Sequence, residues 1–91
     1  MAIIVAGKLM IQPGFRDEFV AQSCAAVILA RAHDACADFA VSADPVDPLR
    51  VNIYEKWRSR AALDAFRAAG PQQDMFAWVA SFEVSEYEIN A

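Results

Sequence analysis

The chain has 91 residues, 57% of them hydrophobic and 22% charged, with 8 basic and 12 acidic residues giving a net charge of −4. A length below roughly 100 residues leaves no room for a second core, so residues 1–91 are read as a single domain, and the apolar and aromatic content excludes disorder. Without a basic run there is nothing to hold a phosphate backbone, so neither nucleic acid nor an anionic membrane surface is an expected partner; the longest apolar stretch, Cys24 to Ala30, is far short of the roughly 20 residues of a membrane span.

From Ala2 to Ile11 the residues are β-rich and apolar on both parities. Ile3, Val5, Gly7, Leu9 and Ile11 fall on one face, and Ile4, Ala6, Lys8 and Met10 on the other, as in a strand covered on both sides. Gln12-Pro13-Gly14 ends it. A helix follows, with Phe15, Phe19, Val20, Cys24, Val27, Ile28 and Arg31 as its expected inward stripe and Asp17 and Glu18 in its first turn. Beyond His33 the period falls to two: Ala37, Phe39, Val41 and Ala43 share one face of a second strand. Asp44 to Pro48 is a turn, Leu49 to Trp57 an antiparallel strand, and Ser59 the N-cap of a helix through Leu63, Phe66 and Ala69 that Gly70-Pro71 stops. Gln72 to Ala80 is expected to turn again with Met75, Phe76 and Val79 inward. The last strand spans Phe82 to Asn90, with Val84, Glu86 and Glu88 opposite Glu83, Ser85, Tyr87 and Ile89.

This order is the ferredoxin-like split βαβ arrangement, an α+β fold with an antiparallel sheet and both helices on one face. The other face, with Ile4, Ala6, Met10 and Tyr54, is too apolar for free solvent. The apolar share also exceeds the roughly 45–50% of ordinary domains, so a homodimer through the open sheet face is expected, forming a dimeric α+β barrel. Met1 to Ala6 lacks a preceding basic segment and a cleavage site, which points to a cytoplasmic protein. Cys24 and Cys36 can pair or serve as small core hydrophobes. No metal site is expected from one histidine and two scattered cysteines. His33 reads as a capping or surface residue before a catalytic one, and Cys36 as structural before nucleophilic.

With Pro13-Gly14 after the first strand, Cys36 opening the second, the Asp44 to Pro48 turn, Glu55 and Trp57 at a strand end, and Ala62-Leu63 in the second helix, the sequence resembles the antibiotic biosynthesis monooxygenase domains, including small quinol monooxygenase-like proteins. The resemblance covers nearly the whole chain. It implies a monooxygenase that needs no cofactor, oxidising a quinol or polycyclic phenol with molecular oxygen.

Several of that family's residues are replaced. Phe66 and Pro71 or Gln72 stand where it often has histidines. The haem-degrading branch has an asparagine at Gly7 and a haem-ligating histidine at Phe66, and the actinorhodin-type branch an asparagine at Ile53 and a tyrosine at Leu63. Asn52 lies one residue off, on the opposite face of a regular strand.

A regular third strand puts Ile53, Glu55 and Trp57 on the helix side with Gly7 and Phe66. There they either line a cleft for a small aromatic ligand or are ordinary core, with Glu55 paired to Arg58 or Arg67. The resemblance makes Glu55 the candidate base, Trp57 its catalytic companion through stacking or the indole N–H, and Gly7, Ile53, Leu63 and Phe66 the substrate-binding set. A dimeric small-molecule binder without catalysis, on the same fold, is the alternative.

Overall fold

The computed structural model describes residues 1–69 and 73–90. Strand β1 (Ala2–Ile11) leads into helix α1 (Arg16–Arg31), and strands β2 (Cys36–Ala43) and β3 (Arg50–Trp57) precede helix α2 (Arg60–Ala68). A 3-10 turn (Gln73–Trp78) runs directly into strand β4 (Val79–Ile89). The strands form one antiparallel sheet in the order β2-β3-β1-β4. This is the ferredoxin-like α+β fold.

Residues opposite one another across an antiparallel pair share a face. The register Ile3↔Trp57, Val5↔Glu55 and Gly7↔Ile53, with Val5↔Glu86 and Gly7↔Val84 on the other side, therefore puts Glu55, Trp57, Val84 and Glu86 with the odd residues of β1 under the helices. The β3 ladder is unbroken through Asn52, which pairs with Lys8 and Ser42 on the open face. Its side chain joins the turn: Asn52 Nδ2 donates to Asp44 at 3.0 Å and its Oδ1 accepts from Arg50 Nε at 2.6 Å. Asp44 also accepts from the backbone N–H groups of Asp47 and Val46. These bonds, Asp47 first, hold its carboxyl down to about 2.

Helix α1 is rotated relative to the predicted stripe. Phe19, Ser23 and Ala30 are buried and Val27 packs on the core, whereas Cys24 is exposed and Ile28 is 68% exposed. The apolar run around Cys24 to Ala30 gives no sharp periodicity, so the docking of Phe19 decides the orientation. Ser23 tolerates burial because its hydroxyl donates to the Phe19 carbonyl at 2.8 Å. Phe15 caps the helix from outside and stacks on Trp78 at 5.4 Å. Arg16 Nη1 ties the helix start to the β2–β3 turn through the Asp47 carbonyl at 2.9 Å.

In β2 a bulge between Cys36 and Asp38 leaves Ala37 exposed and off the face it was expected to share with Phe39. Ser59 caps α2 as predicted, accepting from Ala62 N at 3.2 Å. The expected stop at Gly70-Pro71 lies outside the described residues. In the 3-10 turn Met75 is buried, but Phe76 is 58% exposed and not part of the buried core as expected. β4 begins at Val79, three residues earlier than expected, because the turn delivers the chain straight beside the end of β1, at Ile11.

The core is divided. One cluster gathers Ile3, Val5, Phe39, Trp57 and Leu63; another gathers Leu9, Ile11, Phe19, Val51 and Met75. Val41 and Val84 pack against both. No described helix is long and apolar enough to cross a membrane.

Candidate functional site

A cavity of about 440 Å³ lies at the seam between the two clusters, between the helix face of the sheet, α1, α2 and the 3-10 turn. Its described lining includes Val5 and Phe39 from one cluster and Leu9, Phe19 and Met75 from the other. Phe76 and Phe82, both largely exposed, also line it and give its open side an aromatic edge. The volume and apolar walls suit a ligand of one or two fused rings.

The ionisable groups of this lining are Glu55 from β3, Arg67 from α2 and Glu86 from β4. Glu55 is half-buried, and burial pushes its carboxyl above the ordinary value. The Trp57 indole N–H opposes that shift, donating to Glu55 Oε1 at 3.0 Å, and the Arg67 charge opposes it further. The expected ion pair to Glu55 is not formed. Arg58 is spent on the Asp34 carbonyl, and Arg67 Nη1 donates instead to Glu86 Oε2 at 2.7 Å. Arg60 takes the other Glu86 oxygen at 2.6 Å, and the two guanidiniums hold the Glu86 carboxyl below its usual range.

The predicted site residues separate into two groups. Glu55 and Ile53 line the cavity. Trp57 and Leu63 are fully buried and, with half-buried Phe66, stand outside the described lining. Trp57 packs within 5.1 Å of Phe66 and 6.4 Å of Phe39, measured between ring centroids, so its ring is enclosed by protein and its single N–H is committed to Glu55. Gly7 does not make room for a ligand. Its φ is +153°, and a Cβ there would overlap the Glu83 carbonyl oxygen and lie 2.8 Å from Val84 Cα, so the missing side chain admits the backbone of β4.

Arg67 and Glu86 were not predicted for the site. The spacing of Leu63, Phe66 and Arg67 at i, i+3 and i+4 was the available signal for the first, and the shared parity of Val84 and Glu86 for the second. His33 is exposed, its Nδ1 accepting from Ala35 N at 3.2 Å, with its ring edge-on to Trp57. Cys36 is buried, and burial raises its thiol pKa, which disfavours the thiolate. Among the described residues no group of three or more His, Cys, Asp or Glu side chains is placed to hold a metal.

The sequence profile of the antibiotic biosynthesis monooxygenase family matches residues 2–78. The chain belongs to that family. An uncharacterized protein of Synechocystis is 32% identical over 62 residues, which is 68% of this chain and 42% of that protein, so the chain spans less than half the length of that relative. A candidate antibiotic biosynthesis monooxygenase from Chloroflexus aurantiacus superposes with a TM-score of 0.80 at 26% identity, over 100% of this chain and 95% of that one. A Mycobacterium tuberculosis protein gives 0.82 at 22% identity, over 100% and 97%. A conserved Methanosarcina mazei protein gives 0.83 at 19%, over 99% and 94%. The last two likenesses concern the fold. Within the family frame, this chain's cavity is built around a carboxyl: its one histidine, His33, lies outside the described lining.

Proposed function

We propose that residues 1–91 form one monooxygenase domain that oxidises a quinol or polycyclic phenol with molecular oxygen, without a metal or organic cofactor. The observation that carries this reading is a half-buried carboxyl, Glu55, held by an indole N–H inside an aromatic-walled cavity. Glu55 takes the phenolic proton, and a raised pKa brings a carboxylate closer to the range in which a general base is effective. The resulting electron-rich ring supplies all the electrons. Oxygen adds at a ring carbon, and Glu55 returns its proton to give a ring hydroperoxide. Loss of water breaks the O–O bond and a ring C–H bond and leaves the quinone. One oxygen atom stays on the ring and the other leaves as water, so no external reductant enters. The apolar walls orient the ring and exclude bulk water from the anion.

The absence of histidine from the described lining favours a second reading, a binder without catalysis. Oxygen consumption separates the two. With 1-naphthol and a panel of hydroquinones, the oxygenase consumes oxygen and releases the quinone, whereas a binder raises thermal stability with no uptake. Ligand stabilisation without uptake across the panel overturns the first reading.

We further propose that the protein is a cytoplasmic homodimer joined through the open sheet face, where Tyr54 is 37% and Tyr87 53% exposed beside half-buried Ile4, Ala6 and Met10. The free thiols of Cys24 and Cys36 suit a reducing compartment. Sedimentation equilibrium at micromolar concentration should give about twice the 10.0 kDa chain mass; a mass of one chain would end the dimer proposal.

A further inference from the structure

The charged wall of the cavity carries an asymmetry that the proposed oxygenation does not use. Two cations, Arg60 and Arg67, share one anion, Glu86, and only Arg67 of the two is in the described lining. Each Glu86 oxygen has its own guanidinium, so Glu86 is fixed at 2.6 and 2.7 Å and has no need of a ligand cation. Arg67, by contrast, uses Nη1 alone. Among the described residues its Nε and Nη2 make no hydrogen bond, and it forms no ion pair with Glu55. The Nε–Nη2 edge is the side of a guanidinium that receives a carboxylate through two parallel hydrogen bonds. Glu86 is thus shared between Arg60, outside the described lining, and Arg67, which is the one cation among the described lining residues and faces the same cavity as the Glu55 carboxyl.

We propose that Arg67 is the specificity-determining residue of the cavity, selecting an aromatic ligand that bears a carboxylate in addition to its phenolic hydroxyl. The inference rests on the reading of the cavity as an aromatic-ligand site. Glu55 and Arg67 both line it, so the hydroxyl addresses the first while the carboxylate addresses the second. The Arg67 side chain is 46% exposed, so discrimination comes from the geometry of a bidentate, charge-assisted pair that a carboxylate can form and a neutral isostere cannot. A neutral quinol satisfies only the Glu55 half of the site.

The test compares 1-hydroxy-2-naphthoate with 1-hydroxy-2-naphthamide, bound anaerobically and followed by tryptophan fluorescence. The unsubstituted protein should bind the naphthoate about 10-fold more tightly or better. Arg67→Gln should bring the two within about twofold, and Arg67→Lys should restore part of the preference. Equal affinity in the unsubstituted protein, or a preference that survives in Arg67→Gln, overturns the proposal. Should Arg67→Gln fail to fold, Glu86→Gln keeps the guanidinium and releases Nη1: naphthoate affinity should then rise, and a fall overturns the proposal. Oxygen uptake with 1-naphthol, which has no carboxylate, is scored separately. Uptake without anion preference removes this inference alone, and anion preference without uptake removes the oxygenase reading alone.

Discussion

Glu55→Gln should lower oxygen uptake by about 10²- to 10⁴-fold, the usual contribution of a positioned general base, while leaving the fold intact. Gln keeps an oxygen to accept the Trp57 indole N–H, which in the native protein lies 3.0 Å from Glu55 Oε1. What it loses is the ability to take the phenolic proton. The native pH profile should follow the same group: the active form is the carboxylate, so the rate rises as pH climbs through a pKa lying above the ordinary 4.5.

Stability should move the opposite way. Burial raises the folded pKa above the unfolded one, so the contribution of Glu55 is fully present below the unfolded pKa and is lost as pH rises through the folded value. Gln does not titrate. The variant should therefore gain on the native protein across that window, as read from urea midpoints at a series of pH values. Undiminished uptake in Glu55→Gln would remove the residue from the reaction.

Trp57→Ala should destabilise the protein by about 3–5 kcal/mol, the range for emptying a buried aromatic site, against a total of about 5–15 kcal/mol for a small domain. Trp57 is 0% exposed and makes aromatic contacts with Phe39, Phe66 and His33. Its ring joins the end of β3 to β2, at Phe39, and to α2, at Phe66. The thermal midpoint should fall by more than about 10 °C, and a change of only a few degrees would show that the cluster repacks around the loss. Trp57→Phe separates structure from chemistry. It retains much of the packing but removes the N–H that holds the Glu55 pKa down. Its rate profile should shift to higher pH, and an unmoved profile would mean that the indole bond has no hold on the base.

How far the sequence carries can be seen residue by residue. Strand faces were legible because a period of two repeats at every residue: the Val5, Glu55 and Glu86 parities, and the exclusion of Asn52 from the helix side, all follow from it. Turn and cap chemistry were equally local, as the Asp44 carboxyl and the Ser59 hydroxyl act on N–H groups within three residues. Helix orientation was not. In α1 almost any stripe through the run around Cys24 to Ala30 is apolar, and a distant surface had to choose between Ser23 and Cys24.

The cavity was less legible still. Gly7 was assigned to a ligand, but its space belongs to the backbone of β4, which joins the sheet more than seventy positions along the chain. Trp57 and Phe66 have the composition of a binding wall, yet the packing of α2 over β3 encloses them as core. Arg67 was legible only as a possible partner of Glu55; that it pairs with Glu86 instead came into view when that helix and the edge strand lay side by side.

Local pattern alone was enough for a four-stranded antiparallel α+β fold, for the faces of β1 and β3, and for Glu55 as a carboxyl on the helix side, though not for the bulge that displaces Ala37 in β2. The division of the core into two clusters, the cavity at their seam, and the lining of that cavity by Glu55, Arg67 and Glu86 together emerged from packing. The reason is physical: periodicity and turn chemistry are set by neighbours along the chain, whereas a cavity is what remains when separate elements pack, and no segment encodes it alone.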